Sequence, residues 1–138
     1  MKICGVELKA NTMIFTIVEV ENSEVTYIDT KIKKITLEND ENKTSIVEFK
    51  NSIDILLENN NIEKLIIKKR AKKGNFAGGA ITFKMEATIQ LNNICDVEFA
   101  SGQTISKYQK QNELILPTKL NKYQEQAYLS VLTVFQNK

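Results

Sequence analysis

The fold is decided by residues 2–37, KICGVELKANTMIFTIVEVENSEVTYIDTKIKKITL. Polar and apolar residues alternate at the start of this stretch, and β-branched and aromatic side chains dominate the rest, as in β-strands. We predict three strands, Lys2–Lys9, Thr12–Glu21 and Val25–Leu37. Because only the short polar breaks Ala10-Asn11 and Asn22-Ser23 separate them, we expect the strands to form an antiparallel meander.

The rest of the sequence alternates between helical patterns and short strands. Ile46, Phe49, Ile53 and Leu57 recur at helical spacing, which predicts a helix over residues 44–59. The further predicted elements are an interior strand at Leu65–Ile67, a helix over 80–91, an interior strand over 95–100, a short helix capped by Ser101 and running through Tyr108, and a final helix over 119–135.

This order predicts an α/β fold built on one mixed sheet. An antiparallel three-strand meander joins two parallel strands, and helices flank the sheet on both faces. The first strand has to lie in the middle of the sheet to connect the two parts. Ligand sites in such sheets lie beyond the carboxyl ends of the parallel strands, here after Ile67 and Phe99.

The composition fits a single domain, residues 1–138. Lys and Arg number 19 against 17 Asp and Glu, and this net charge of +2 argues against a dedicated polybasic binder. The chain has no His, so it lacks the commonest general base and zinc ligand. Cys4 and Cys95 are far apart, which excludes a CxxC site and predicts two small core residues. No apolar run is long enough for a membrane span, and we expect a cytoplasmic chain without a membrane partner.

Two motifs connect the predicted strands to a known group of proteins. The first is Ile3-Cys4-Gly5-Val6-Glu7, an apolar-Gly-apolar-acid pattern on the first strand. The second is Leu65-Ile66-Ile67-Lys68-Lys69, followed by a basic, glycine-containing loop and an apolar helix. Together with the strand order, they resemble the ribonuclease H-like fold of RuvC-type Holliday-junction resolvases.

Nearly the whole chain is also similar to an uncharacterised bacterial domain family of about the same 138-residue length. This similarity includes Gly74-Asn75-Phe76-Ala77-Gly78-Gly79-Ala80 and Phe83-Lys84-Met85-Glu86-Ala87.

The resemblance to the resolvases implies several carboxylates that converge on Mg²⁺ or Mn²⁺. Glu7 matches the first of these acids and is the candidate metal ligand and catalytic residue. Lys68 or Lys69 stands where the next acid is expected, and Glu125 is the nearest acid on the final helix. Glu86 is a further catalytic candidate if its helix face turns to the sheet. The resemblance implies a metal-dependent nuclease, and the departures of this sequence from the acidic pattern predict that the activity is weak or lost.

The alternation of the first strand puts Ile3, Gly5 and Glu7 on one face. A carboxylate on a central strand has to be paired, because burial of an isolated charge is costly. We predict that Lys69 pairs with Glu7. The pair is interpreted either as a rewired active site or as a structural ion pair at a strand end, and the sequence leaves both interpretations open.

Five cations occupy the six positions from 68 to 73. These residues, together with a neighbouring asparagine, are candidate contacts to DNA or RNA: Lys68, Lys69, Arg70, Lys72, Lys73 and Asn75. The competing interpretation is a solvated strand end. The glycines Gly74, Gly78 and Gly79 precede a helix and are candidates for anion binding, or else they permit close packing of the helix start.

The leading functional hypothesis is a resolvase-like protein that binds nucleic acid. The alternative is a non-enzymatic scaffold, a homodimer formed through exposed apolar positions of the final helix such as Leu129 or Leu132. A third hypothesis is binding of an anion or small molecule at the loop Gly74–Gly79.

Overall fold

A mixed β-sheet with helices on both faces makes up residues 1–70 and 79–135, which the computed structural model describes. The strands are β1 (Lys2–Lys9), β2 (Thr12–Glu21), β3 (Glu24–Ile28), β4 (Lys34–Thr36), β5 (Lys64–Lys69) and β6 (Asp96–Ser101). The helices are α1 (Lys43–Asn59), α2 (Ala80–Gln90), α3 (Gly102–Gln111) and α4 (Glu125–Phe135). A 3₁₀ turn, Lys122–Gln124, leads into α4. The predicted order is confirmed, with one additional short strand.

The sheet has the strand order β3-β2-β1-β5-β6, and β4 pairs with the first part of β2. β1 pairs with β2, and β2 with β3, in antiparallel orientation, whereas β5 pairs with β1 and β6 in parallel orientation. β1 is therefore the central strand, as predicted. The prediction of an interior strand over residues 95–100 is wrong, because β6 lies at the edge of the sheet.

The predicted third strand, Val25–Leu37, is in fact two strands. The hydroxyl of Thr30 donates a hydrogen bond to the carbonyl of Ile32 at 2.7 Å, and the ammonium of Lys33 donates to the carbonyl of Thr30. Such side-chain bonds to the backbone stabilise a turn at the expense of a continuous strand. β2 consequently pairs with β3 through residues 17–21 and with β4 through residues 12–14.

The alternation of side chains along β1 divides the core into two clusters. Cys4, Val6 and Leu8 pack with residues of α1 and α2 on one face of the sheet. Ile3 packs with residues of α3 and α4 on the other face. Gly5 and Glu7 share the face of Ile3, because alternate residues of a strand point to the same side.

Gly5 allows α4 to lie directly on β1. A Cβ atom at Gly5 would stand 2.2 Å from the carbonyl oxygen of Ala127 and 2.8 Å from the Cγ2 atom of Val131. No side chain fits at these distances, so the helix reaches the strand only because residue 5 is glycine. The close contact holds the first turn of α4 over the carboxyl half of β1.

The final helix is shorter than predicted and lies deeper in the protein. α4 begins at Glu125, directly after the 3₁₀ turn, whose own start carries a capping box in which Gln124 Oε1 accepts from the backbone N–H of Asn121 at 3.0 Å. Leu129 and Leu132 are only 0% and 5% exposed and pack in the core. The prediction that they form an exposed dimer surface is therefore wrong.

Both cysteines contact the core cluster between the sheet and the helices α1 and α2, as predicted. Burial raises the pKa of the Cys95 thiol to about 11, and it also raises the pKa of the fully buried Cys4. Over residues 1–70 and 79–135, no helix has the length and apolar character needed to cross a membrane.

Candidate functional site

The site is built around Glu7, a nearly buried carboxylate on the central strand. Glu7 is 9% exposed, and its Oε2 atom lies 3.7 Å from the Nζ atom of Lys68 on β5. The parallel register of β1 and β5 explains why Lys68 is the partner of Glu7. Gly5 is paired with Ile66, so the next residues on the same face of the two strands are Glu7 and Lys68. The prediction of Lys69 as the partner is wrong, because the register places Lys68 beside Glu7.

Gln126 on α4 completes a three-residue network. The ammonium of Lys68 donates a hydrogen bond to Gln126 Oε1 at 2.8 Å. The close approach of α4 at Gly5 places this glutamine above the two strands. Three separate elements thus hold the network Glu7–Lys68–Gln126: β1, β5 and α4.

The two other acids predicted to be catalytic are not part of this network. Glu125 is half-buried at the first position of α4, but successive helix residues point about 100° apart, and the neighbouring Gln126 is the residue that reaches Lys68. Glu86 lies on α2, whose buried residues Met85 and Ile89 pack on the sheet face opposite to that of Glu7.

The side chains of this network do not suit Mg²⁺ or Mn²⁺. These ions require several hard oxygen ligands, and carboxylates supply most of them in proteins. Here the Glu7 carboxylate faces an ammonium that carries no free lone pair and repels metal cations. In the described ranges, no group of three or more His, Cys, Asp or Glu residues could hold a metal ion. The metal implied by the resemblance to resolvases therefore does not match the residues present.

An open groove of about 790 Å³ runs beside this network, between the carboxyl end of β5 and one face of α3. Two lysines of β5 and two of α3 line it together with uncharged residues: Lys68, Lys69, Gly102, Gln103, Ser106, Lys107, Lys110 and Gln111. No carboxylate is among these residues. The α3 residues form three adjacent pairs, 102/103, 106/107 and 110/111, which recur every four residues and so share one helix face.

The N-terminus of α3 is anchored by its cap. The Oγ atom of Ser101 accepts a hydrogen bond from the backbone N–H of Thr104 at 3.0 Å, as the predicted cap at Ser101 requires. Ile105 and Tyr108 are buried on the inner face of the helix, which turns Lys107 and Lys110 to solvent. The prediction missed both lysines as site residues, although their spacing in the sequence is helical.

The predicted basic cluster is only partly within the described residues. Lys68 and Lys69 line the groove, and Arg70 follows β5 with a half-buried side chain. The other proposed nucleic-acid contacts and two of the proposed anion-binding glycines lie outside the described residues: Lys72, Lys73, Asn75, Gly74 and Gly78.

Gly79 is the N-cap residue of α2 and, being glycine, has no side chain that could accept a capping hydrogen bond. Among the described residues, a Cβ atom added at Gly79 would meet no heavy atom within 4 Å. Close packing against the described residues therefore does not explain the glycine at this position, and its proposed role in anion binding stays a prediction.

Solved structures show the same fold with little sequence in common. The RuvC protein of Thermus thermophilus is similar with a TM-score of 0.70 at 9% identity, over 99% of this chain and 95% of that one. The same protein in complex with a Holliday junction substrate gives a TM-score of 0.69 at 11% identity, over 99% and 94% of the two chains. The Fowlpox virus resolvase in complex with its Holliday junction DNA gives a TM-score of 0.60 at 14% identity, over 99% and 98%.

These similarities establish the ribonuclease H-like fold of the resolvases for this chain, as the order of strands and the two motifs indicate. No curated protein matches the sequence. A family described as "Protein of unknown function (DUF3010)" matches residues 1–133, and the chain belongs to this DUF3010 family.

Proposed function

We propose that the protein binds nucleic acid through its phosphate backbone in the lysine-lined groove, and that metal-dependent strand cleavage is weak or lost. The observation that carries the proposal is the groove itself. Four lysines from two elements, Lys68, Lys69, Lys107 and Lys110, line one open surface with no acidic residue among them.

The clustering of charge supports this proposal, because the groove brings together lysines that form no ion pair with any described residue, whereas four lysines elsewhere are paired. Elsewhere, Lys33, Lys50, Lys64 and Lys84 form ion pairs with nearby carboxylates. Within the described ranges, three lysines of the groove form no ion pair: Lys69, Lys107 and Lys110. The net charge of +2 thus conceals a local concentration of uncompensated positive charge.

The chemistry of lysine indicates which part of a nucleic acid would bind. A lysine ammonium is a compact point charge that contacts phosphates without reading the bases. Gln103, Ser106 and Gln111 add uncharged hydrogen-bonding groups along the same groove. We therefore expect recognition of backbone geometry with little dependence on base sequence. Branched DNA is the first substrate class to test, because two solved structures of this fold contain Holliday junction substrates.

The Glu7–Lys68 pair supports the second half of the proposal. Two-metal cleavage needs carboxylates that hold both ions beside the scissile phosphate. In this chain the only acid of the network is neutralised by a lysine. We expect binding without efficient cleavage.

The proposal is tested by binding and cleavage assays on branched, single-stranded and duplex DNA and on RNA. The test variant is Lys107→Gln/Lys110→Gln. The matched control is Lys31→Gln/Lys119→Gln, which removes the same charge from two exposed lysines outside the groove. We expect about tenfold weaker binding for the groove variant and unchanged binding for the control. Equal affinities of the two variants, or no binding by the wild type, would refute the proposal.

A further inference from the structure

The charge of Glu7 is balanced from within the chain. A carboxylate that is 9% exposed needs a counter-charge, because desolvation of a lone ion is expensive. Within residues 1–70 and 79–135, the one ion pair of Glu7 is with Lys68, at 3.7 Å. The side chain of Lys68 is itself only 21% exposed, so water screens the pair weakly.

The position of the ammonium is fixed. Lys68 extends from a buried strand, and its Nζ atom is held by the 2.8 Å hydrogen bond to Gln126 on the overlying helix. The helix is fixed in turn by its contact with Gly5. A cation brought from solution would have to displace this ammonium from Glu7 and then tolerate the repulsion of a lysine that remains attached nearby.

We infer that the ammonium of Lys68 is the permanent cation of this site, and that the site therefore takes no divalent metal. The inference goes beyond the proposed function, because it concerns the free protein and holds whether or not nucleic acid binds. It also explains how a ribonuclease H-like sheet can keep a buried carboxylate on its central strand without a metal.

The same geometry indicates how a metal site could be created. Lys68→Glu would replace the ammonium with a second carboxylate opposite Glu7, beside the amide oxygen of Gln126. Two carboxylates and an amide oxygen are the kind of ligands that Mn²⁺ and Mg²⁺ prefer. The two like charges repel each other until a cation binds between them.

The test measures thermal unfolding of the full chain in EDTA and in MnCl₂ or MgCl₂, without nucleic acid. The variants are Lys68→Glu, Lys68→Gln and Glu7→Gln. Lys69→Glu is the matched control, because it makes the same charge reversal at the next residue of β5, and the ion pair with Glu7 is made by Lys68.

For the wild type, we expect the same Tm with and without Mn²⁺. The Tm of Lys69→Glu should likewise be unchanged by Mn²⁺. Lys68→Glu should be less stable in EDTA, and Mn²⁺ should raise its Tm by about 4 °C once the metal exceeds its Kd tenfold. Electron paramagnetic resonance of Mn²⁺ should detect the bound ion in this variant alone or, more weakly, in Lys68→Gln.

Two results would overturn the inference. One is Mn²⁺ binding by the wild type that Glu7→Gln abolishes. This measurement does not depend on whether the Lys68 variants fold. The other is a folded Lys68→Glu protein that binds Mn²⁺ no better than Lys69→Glu does. Since nucleic acid is absent from these measurements, failure of the proposed function in DNA-binding assays would leave their outcome unchanged.

Discussion

The carbonyl oxygen of Ala127 lies where a side chain at Gly5 would begin, 2.2 Å from the position of a Cβ atom. This contact couples the central strand to the first turn of α4. It determines how far Gln126 can reach toward Lys68, and hence how the ammonium faces Glu7. A single glycine thus supports the geometry of the whole network.

Gly5→Ala should therefore destabilise the protein by about 1–3 kcal/mol, the usual cost of overpacking a core. The added methyl group would collide with the backbone of α4, which has no rotamer to relieve the contact. Urea denaturation followed by circular dichroism measures the change in the free energy of unfolding.

Gly102→Ala is the control for this substitution. Among the residues that the structure describes, a Cβ atom at Gly102 would meet only Lys68 Cε, at the ordinary contact distance of 3.9 Å. We expect its effect on unfolding to stay within about 0.5 kcal/mol. Equal stabilities of the Gly5→Ala protein and the wild type would show that α4 can shift without cost.

The motif around Gly5 also explains how much of the site could be predicted from the sequence. The alternation of β1 predicted that Ile3, Gly5 and Glu7 share one face of a central strand, and this arrangement is present. The choice between Lys68 and Lys69 depended on the register between β1 and β5. Registers arise from tertiary pairing, and a slip of one residue reverses every side chain.

The lysines of α3 were missed for a different reason. The predicted helix ended at Tyr108, whereas α3 continues to Gln111 and includes Lys110. The groove also needs β5 and α3 to lie side by side, although they are separated by more than 30 residues. Local sequence patterns do not predict contacts between elements that are so far apart in the sequence.

Removal of Lys68 and removal of Glu7 should change the free energy of unfolding by different amounts. Lys68→Met would leave a nearly buried carboxylate without its counter-charge, so we expect a loss of about 2 kcal/mol in the free energy of unfolding. Glu7→Gln should cost less, because Lys68 keeps its hydrogen bond to Gln126. The double variant should be more stable than Lys68→Met alone.

A double-mutant cycle in chemical denaturation measures this coupling. Lys64, on the same strand as Lys68, is a suitable reference, since its ion pair with Glu98 of β6, at 3.0 Å, is more exposed. Lys64→Met should change stability by less than about 1 kcal/mol. Additive effects of the substitutions at Glu7 and Lys68 would show that the two residues do not interact.

The Cys95 thiol should react slowly in the folded protein. Burial raises its pKa from 9.0 to about 11, and two pKa units reduce the thiolate fraction at pH 8 about 100-fold. Alkylation by iodoacetamide, followed by mass spectrometry of the native and the urea-unfolded chain, gives the two rates. Comparable rates would contradict burial of this thiol.

The same pKa shift makes stability depend on pH in the alkaline range. The neutral thiol is favoured in the folded state, so its contribution to stability is complete below pH 9, where the unfolded thiol is also neutral. The contribution is lost as the pH rises from 9 toward about 11. Cys95→Ala should therefore lose less stability than the wild type between these pH values, as measured by thermal unfolding.

The groove makes a quantitative prediction about salt. Each phosphate contact releases counterions, so the logarithm of the binding constant falls with the logarithm of salt concentration by about 0.9 per contact on duplex DNA. Lys107→Gln/Lys110→Gln removes two such contacts and should reduce the slope by about 2. Fluorescence anisotropy at a series of KCl concentrations measures this slope. The control Lys31→Gln/Lys119→Gln should keep the wild-type slope. Because both variants lose two positive charges, a similar decrease in both would mean that the overall charge of the protein attracts the nucleic acid and that the groove has no special role.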